Sequence, residues 1–262
     1  MLIFALPIGE DIEEVISWVE RLRDHVGIFK VGKDSFTRYG PEIVSKIKER
    51  GGKVFLDLKF HDIPSTVVRA AEAAVRMEVD MFNVHALGGK RMMEETVVSV
   101  ERIAEQIGLP PPMILAVTVL TSLDDNDLRS LGFNRRAGEV VLNLSKLAQE
   151  VGVSGVVASG RDISTIREFC GEDFAIVVPG IREVMEVVDD DQKRIMTAED
   201  TIALGADYIV VGRPIRMAGD PIGTVEEIHH AMSRGLLLRE KSEIKAKEAQ
   251  LPQGEGADHL RY

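Results

Sequence analysis

Eight short apolar runs, each followed by a stretch with helical spacing, limit the folds open to this chain more than any other feature. The runs are Leu2–Leu6, Gly27–Gly32, the stretch opening at Val54, Asp80–His85, Met113–Thr118, Gly155–Ala158, Phe174–Val178 and Tyr208–Val211. Between them, apolar residues recur at helical intervals, as in Ile12, Val15, Ile16, Val19 and Leu22. The other helical patterns cover Pro41–Arg50, Ser65–Met77, Arg91 to about Ile107, Gly138–Val151, Ile163–Phe169, Thr197–Leu204 and Pro221–Leu236. Strands alternating with helices specify parallel βα units. Eight units in 262 residues fit a single-domain α/β protein of the (β/α)8 TIM-barrel class better than an open doubly wound sheet. No glycine-rich dinucleotide fingerprint follows the first strand, which also counts against the open sheet. The barrel is expected over residues 1–236, and the charged segment 237–262 as a helical extension that frays into partial disorder.

Chemistry concentrates in Val54-Phe55-Leu56-Asp57-Leu58-Lys59-Phe60-His61-Asp62-Ile63-Pro64. Alternation along a strand turns Phe55, Asp57 and Lys59 to one face and Val54, Leu56 and Leu58 to the other. Asp62 follows in the turn, and Pro64 opens a helix. An isolated Asp-X-Lys is usually a solvated ion pair, with Asp62 then a helix cap. Charges interrupting an apolar strand are costly unless they are paired or functional. A buried lysine between carboxylates can be tuned into a proton donor.

Composition narrows the rest. A net charge of −11 argues against general nucleic-acid binding. No apolar run is long enough to span a bilayer. The single cysteine, Cys170, excludes an internal disulfide and suits a reducing cytoplasm. Aromatic residues are only 5%, so aliphatic side chains must fill the interior.

Barrels of this kind carry reactive groups at the C-terminal ends of their strands. Those ends hold Lys30, Asp57, Lys59, His85, Thr118 to Ser122, Arg182 and Gly212-Arg213. Arg182 and Arg213, each beside a glycine in the last two strand–helix loops, read together as a phosphate grip. Separately, each could be a surface salt-bridge residue. The acidic segment 183–194 reads as a lid carrying Gln192, or else as a plain solvated loop. A divalent-metal site from His61, His85, Asp57 and Asp62 is not expected. Their spacing matches no ligand signature, and Lys59 would compete with a cation. By alternation His61 turns to the aliphatic face in a structural role.

The stretch from Phe55 to Pro64 resembles the signature of the orotidine 5′-monophosphate decarboxylase family, bacterial type. Further similarity runs in order through Lys30-Val31-Gly32, Asn83-Val84-His85-Ala86, Ala116 to Ser122, Pro179-Gly180-Ile181-Arg182, Asp191 to Thr197 and Val211-Gly212-Arg213-Pro214. The resemblance implies a cytoplasmic homodimer with active sites at the subunit interface, decarboxylating orotidylate to uridylate in pyrimidine synthesis without metal or organic cofactor. By matching position, Lys30, Asp57, Lys59 and Asp62 would form an array of alternating charge, with Asp62 reaching in from the partner subunit. Lys59 would protonate C6 of the pyrimidine, Asp57 would sit near the departing carboxylate, and Lys30 would hold Asp57 and a ribose hydroxyl. Ile63 and Thr66 would contact the neighbouring subunit's ligand. Thr121 would meet the pyrimidine edge, while Arg182, Gln192, Gly212 and Arg213 would bind phosphate.

One departure stands out. The family has an Asp directly after the first strand, where it contacts ribose hydroxyls, and this chain has Pro7. Proline brings neither an acceptor side chain nor an N–H. Losing a charge-assisted hydrogen bond costs about 1.5–3 kcal/mol. Two alternatives follow: a magnesium-dependent sugar-phosphate decarboxylase of the same superfamily, or a non-catalytic nucleotide-binding homologue with Pro7 as a sign of decay.

Overall fold

The computed structural model describes residues 1–181 and 196–250. Among them, eight parallel strands close into a barrel in chain order, with the first paired to the last. The elements run β1 (Leu2–Ala5), α1 (Ile12–Leu22), β2 (Ile28–Gly32), α2 (Lys33–Tyr39), α3 (Glu42–Glu49), β3 (Val54–Phe60) and α4 (Pro64–Arg76). They continue with β4 (Met81–His85), α5 (Lys90–Ile107), β5 (Met113–Val117), α6 (Asp125–Ser130), α7 (Ala137–Glu150), β6 (Gly155–Val157) and α8 (Ile163–Cys170). The last are β7 (Ala175–Pro179), α9 (Ala198–Ala203), β8 (Tyr208–Val211), α10 (Arg213–Arg216) and α11 (Pro221–Gln250).

The apolar runs are continuous because each strand is covered on both faces. Ile3, Ile28, Phe55, Met81, Leu115, Val177 and Val210 fill the barrel interior. Their neighbours in sequence, among them Leu2, Phe29, Val54, Leu56 and Phe82, pack outward under the helices. The interior residues plug the barrel below its C-terminal mouth, so a ligand enters only from that end. Burying a side chain such as Phe55, 1% exposed, contributes about 1.5–3 kcal/mol.

Helix starts follow local chemistry. The Asp11 carboxylate accepts the Glu14 N–H at 2.9 Å, and Pro64 occupies the first turn of α4. Asp124 and Asp127 form a reciprocal capping box for α6, a helix that the apolar spacing does not announce. α2 and α10 are also additions to the sequence-based pattern. Both are short, and their spacing carries no amphipathic stripe long enough to register. α11 runs to Gln250 rather than ending near Leu236, extending well into the segment read as a tail. At Gly235 a β-carbon would lie 2.4 Å from the Glu199 carbonyl oxygen, so α11 crosses α9 at close range there. Among the described residues, no helix is long and apolar enough to cross a membrane.

Candidate active site

At the barrel mouth, β3 projects Phe55, Asp57 and Lys59 inward in succession, and all three line one cavity of about 220 Å³. The strand leaves regular geometry here. Its register with β4 slips between Leu56 and Phe60, and Lys59 adopts φ +52°, a left-handed conformation unusual for a residue with a side chain. Asn83 on β4 bridges the irregularity. Its Oδ1 accepts the Lys59 backbone N–H at 2.7 Å, and its Nδ2 donates to Asp57 Oδ1 at 2.7 Å. Asn83 is fully buried, so both ends of its amide are committed to holding this turn of chain.

Asp57 stands between two ammonium groups. Lys30 Nζ lies 3.0 Å from its Oδ2, and Lys59 Nζ lies 2.5 Å from its Oδ1. Burial pushes the carboxyl's pKa up. The nearby Lys30 and Lys59 charges, with hydrogen bonds from Lys59 and Asn83, outweigh burial and hold it below the usual carboxylate value. The group is therefore a fixed anion in a cavity otherwise walled by Phe55, Val117, Val157 and Val210. Charge at low local dielectric interacts strongly with whatever enters.

Thr121 lines the same cavity, beside Val119 and Leu120. Gly212 follows β8, and a β-carbon on it would lie 3.2 Å from Ala5 Cβ, so this turn packs tightly against the end of β1. Arg213 opens α10 and is exposed, without an ion pair among the described residues. Arg182, Gln192 and the lid read over 183–194 lie outside the described residues. Asp62 does not join the cluster within one chain: it is exposed, and its Oδ1 accepts the Ile63 N–H at 2.6 Å. Ile63, 64% exposed, precedes α4 as its N-cap residue, and Thr66, partly buried, lies in the first turn of that helix.

His61 departs from the alternation argument. It follows the end of β3, is exposed rather than turned to the aliphatic face, and stacks on His85 with ring centroids 5.0 Å apart. The kink at Lys59 and the end of the strand at Phe60 remove the two-residue repeat that the argument relied on. His85 Nδ1 accepts the Leu87 N–H at 3.4 Å. Among the described residues, no group of three or more His, Cys, Asp or Glu side chains converges as a metal site would require. Asn83 escaped the sequence reading as a site residue. The signal was present: a lone amide in the apolar strand Met81–His85 is costly unless it is fully hydrogen-bonded.

Residues 1–228 match the sequence profile described as the orotidine 5′-phosphate decarboxylase / HUMPS family. A relative from Syntrophus aciditrophicus, named orotidine 5′-phosphate decarboxylase, is 57% identical over 238 residues, spanning 91% of this chain and 95% of that protein. A relative of the same name from Syntrophotalea carbinolica is 49% identical over 237 residues, or 90% and 96% of the two chains. The crystal structure of orotidine 5′-phosphate decarboxylase from Lactobacillus acidophilus superposes with a TM-score of 0.72 at 33% identity, covering 88% of this chain and 98% of that one. With a profile matched over nearly the whole barrel and relatives this similar across their full length, the chain belongs to the orotidine 5′-phosphate decarboxylase / HUMPS family.

Proposed function

We propose that this protein is a carboxy-lyase that converts orotidine 5′-monophosphate to uridine 5′-monophosphate in pyrimidine biosynthesis. One observation supports this above all: a carboxylate clamped between two ammonium groups at the mouth of a cavity with apolar walls. The names of the relatives select this reaction from the two activities that the family description joins.

The pyrimidine enters the cavity with its C6 carboxylate toward Asp57 and Lys59. As the C6–carboxylate bond breaks, carbon dioxide leaves and the electron pair remains on C6. The Lys59 ammonium stabilises that carbanion, then transfers a proton from Nζ to C6 and is reprotonated from solvent. Lys30 and Asn83 keep Asp57 ionised and in place, so the charges need no reorganisation as the reaction proceeds. Thr121 meets the pyrimidine edge. Gly212 and Arg213, with Arg182 and Gln192, take the phosphate, whose binding energy contributes to reaching the transition state. Two chains form a cytoplasmic dimer in which Asp62, Ile63 and Thr66 complete the partner's site. The exposure of Ile63 and the absence of Asp62 from its own chain's charge cluster support that arrangement.

The test is the ultraviolet loss of orotidylate absorbance with excess chelator present. Turnover should persist with EDTA, which separates this reading from a magnesium-dependent sugar-phosphate decarboxylase. Lys59→Ala should lower kcat by at least about 10²–10⁴-fold, the range for a positioned acid, while uridylate binding stays measurable. A Lys59→Ala variant working at near the wild-type rate would remove Lys59 as proton donor.

A further inference from the structure

Asp34 is a carboxylate on the barrel rim that the steps above leave unused. β2 ends at Gly32 and α2 begins at the next residue, so Asp34 stands where strand passes into helix at the open end of the barrel. It is exposed, and its Oδ1 accepts the Ser35 N–H at 2.9 Å. A β-carbon placed on Gly32 would lie 2.8 Å from Asp34 Oδ1 and 3.6 Å from Lys30 Nζ. Carboxylate and ammonium thus border the same small gap, kept open by a residue without a side chain. Lys30 commits itself to Asp57 Oδ2, which leaves N–H donors for a ligand.

Neighbouring contacts fix where this gap lies on the rim. Gly212 packs on Ala5 at the end of β1. Two residues further on, the Pro7 carbonyl accepts the Ser35 hydroxyl at 3.2 Å. The turn assigned to phosphate, the end of β1, Asp34 and Lys30 therefore follow one another around the mouth. In a nucleotide the sugar joins phosphate to base, so with the base at Lys59 and the phosphate at Arg213 the sugar hydroxyls fall in this sector. Pro7 has no polar side-chain atom to meet them. A carboxylate that only accepts, across a gap from an ammonium that only donates, suits two adjacent hydroxyls. One hydroxyl donates to Asp34 and its neighbour accepts from Lys30.

We propose that Asp34, paired with Lys30 across Gly32, recognises the ribose diol and makes this site selective for ribonucleotides over deoxyribonucleotides. The inference rests on the decarboxylase reading for the identity of the ligand. It is tested by calorimetric binding of uridylate and of its 2′-deoxy and 3′-deoxy forms to wild type and Asp34→Asn, with orotidylate turnover measured alongside. The amide keeps the acceptor for the Ser35 N–H, and the site is exposed, so folding is not at stake. Asp34→Asn should weaken uridylate about 10- to 100-fold, the range for a hydrogen bond to a charged group, and weaken at least one deoxy ligand about twofold or less. Equal weakening of all three ligands, or no weakening of uridylate, overturns the proposal. Wild type that shows this selectivity but no orotidylate turnover would count against the decarboxylase reading and leave the diol contact standing.

Discussion

At the scale of single residues, the site is an exercise in holding charge where burial opposes it. Asp57 remains an anion because two cations and an amide face it, and removing any of them leaves a buried charge short of partners. His85 is the opposite case. Burial first, then the positive neighbours His61, Lys33 and Lys59, lower its pKa from 6.5 to about 4. The unfolded chain takes up a proton at this histidine from about pH 6.5 downward, whereas the folded chain resists until about pH 4. Stability from this group is therefore complete above pH 6.5 and is lost as pH falls through that interval. Calorimetric melting should show a steeper fall in Tm between pH 6.5 and 4 for wild type than for His85→Gln. Identical slopes for the two proteins would mean that His85 titrates normally. The sequence made Lys30, Asp57 and Lys59 legible because each interrupts an apolar run. It could not reveal that His61 and His85 stack, since that contact depends on how β3 ends beside β4.

At the scale of elements, β3 is irregular where it carries the charges, whereas β6 and β7, which wall the same cavity through Val157 and Pro179, are tightly joined. β3 slips its register and turns through a left-handed Lys59, with Asn83 bridging the break. β6 and β7 instead approach so closely that a β-carbon on Gly155 would sit 2.2 Å from the Ala175 carbonyl oxygen and 2.6 Å from its Cβ. The two strands would have to separate to admit it. Gly155→Ala should cost at least about 1–3 kcal/mol in urea unfolding, the usual penalty of overpacking. Gly219→Ala, at a position with nothing within 4 Å, should stay within about 0.5 kcal/mol of wild type. Equal stability of the two variants would show that strand contact is not what requires glycine at 155. Periodicity located β3 and β6 well because both lie in long apolar or alternating runs. It passed over α2, α6 and α10: α6 is held by its capping box, whereas α2 and α10 have no side-chain cap and bury only Ser35 and Ile215.

At the scale of the whole molecule, a closed ring of strands gathers residues from distant parts of the chain at one mouth, and the proposed dimer extends that gathering to a second chain. Asp62, which among the described residues accepts a hydrogen bond only from the Ile63 N–H, is the group that would cross. Mixing two inactive variants tests this. Lys59→Ala and Asp62→Ala homodimers should each be nearly inactive. Unfolding and refolding them together in equal amounts should restore about a quarter of wild-type activity, since half the dimers are hybrids carrying one intact site in two. Mixed protein no more active than its parents would place Asp62 in the site of its own chain or outside catalysis.

By itself, the sequence determined the eightfold strand–helix alternation and the charges that break it, because strand and helix periodicities are properties of short stretches of chain. From those came the barrel and the direction in which Phe55, Asp57 and Lys59 point, while the family came from the resemblance of the Phe55–Pro64 stretch and the motifs around it to a known signature. Only the tertiary structure decided which groups meet. Lys30 faces Asp57 because β2 and β3 pair with Gly32 opposite Asp57, Asn83 clamps both Asp57 and Lys59 from the next strand, and Asp34 shares a gap with Lys30. Such encounters depend on strand register and on closure of the ring. Both are set by packing over the whole barrel, and no local pattern of residues encodes them.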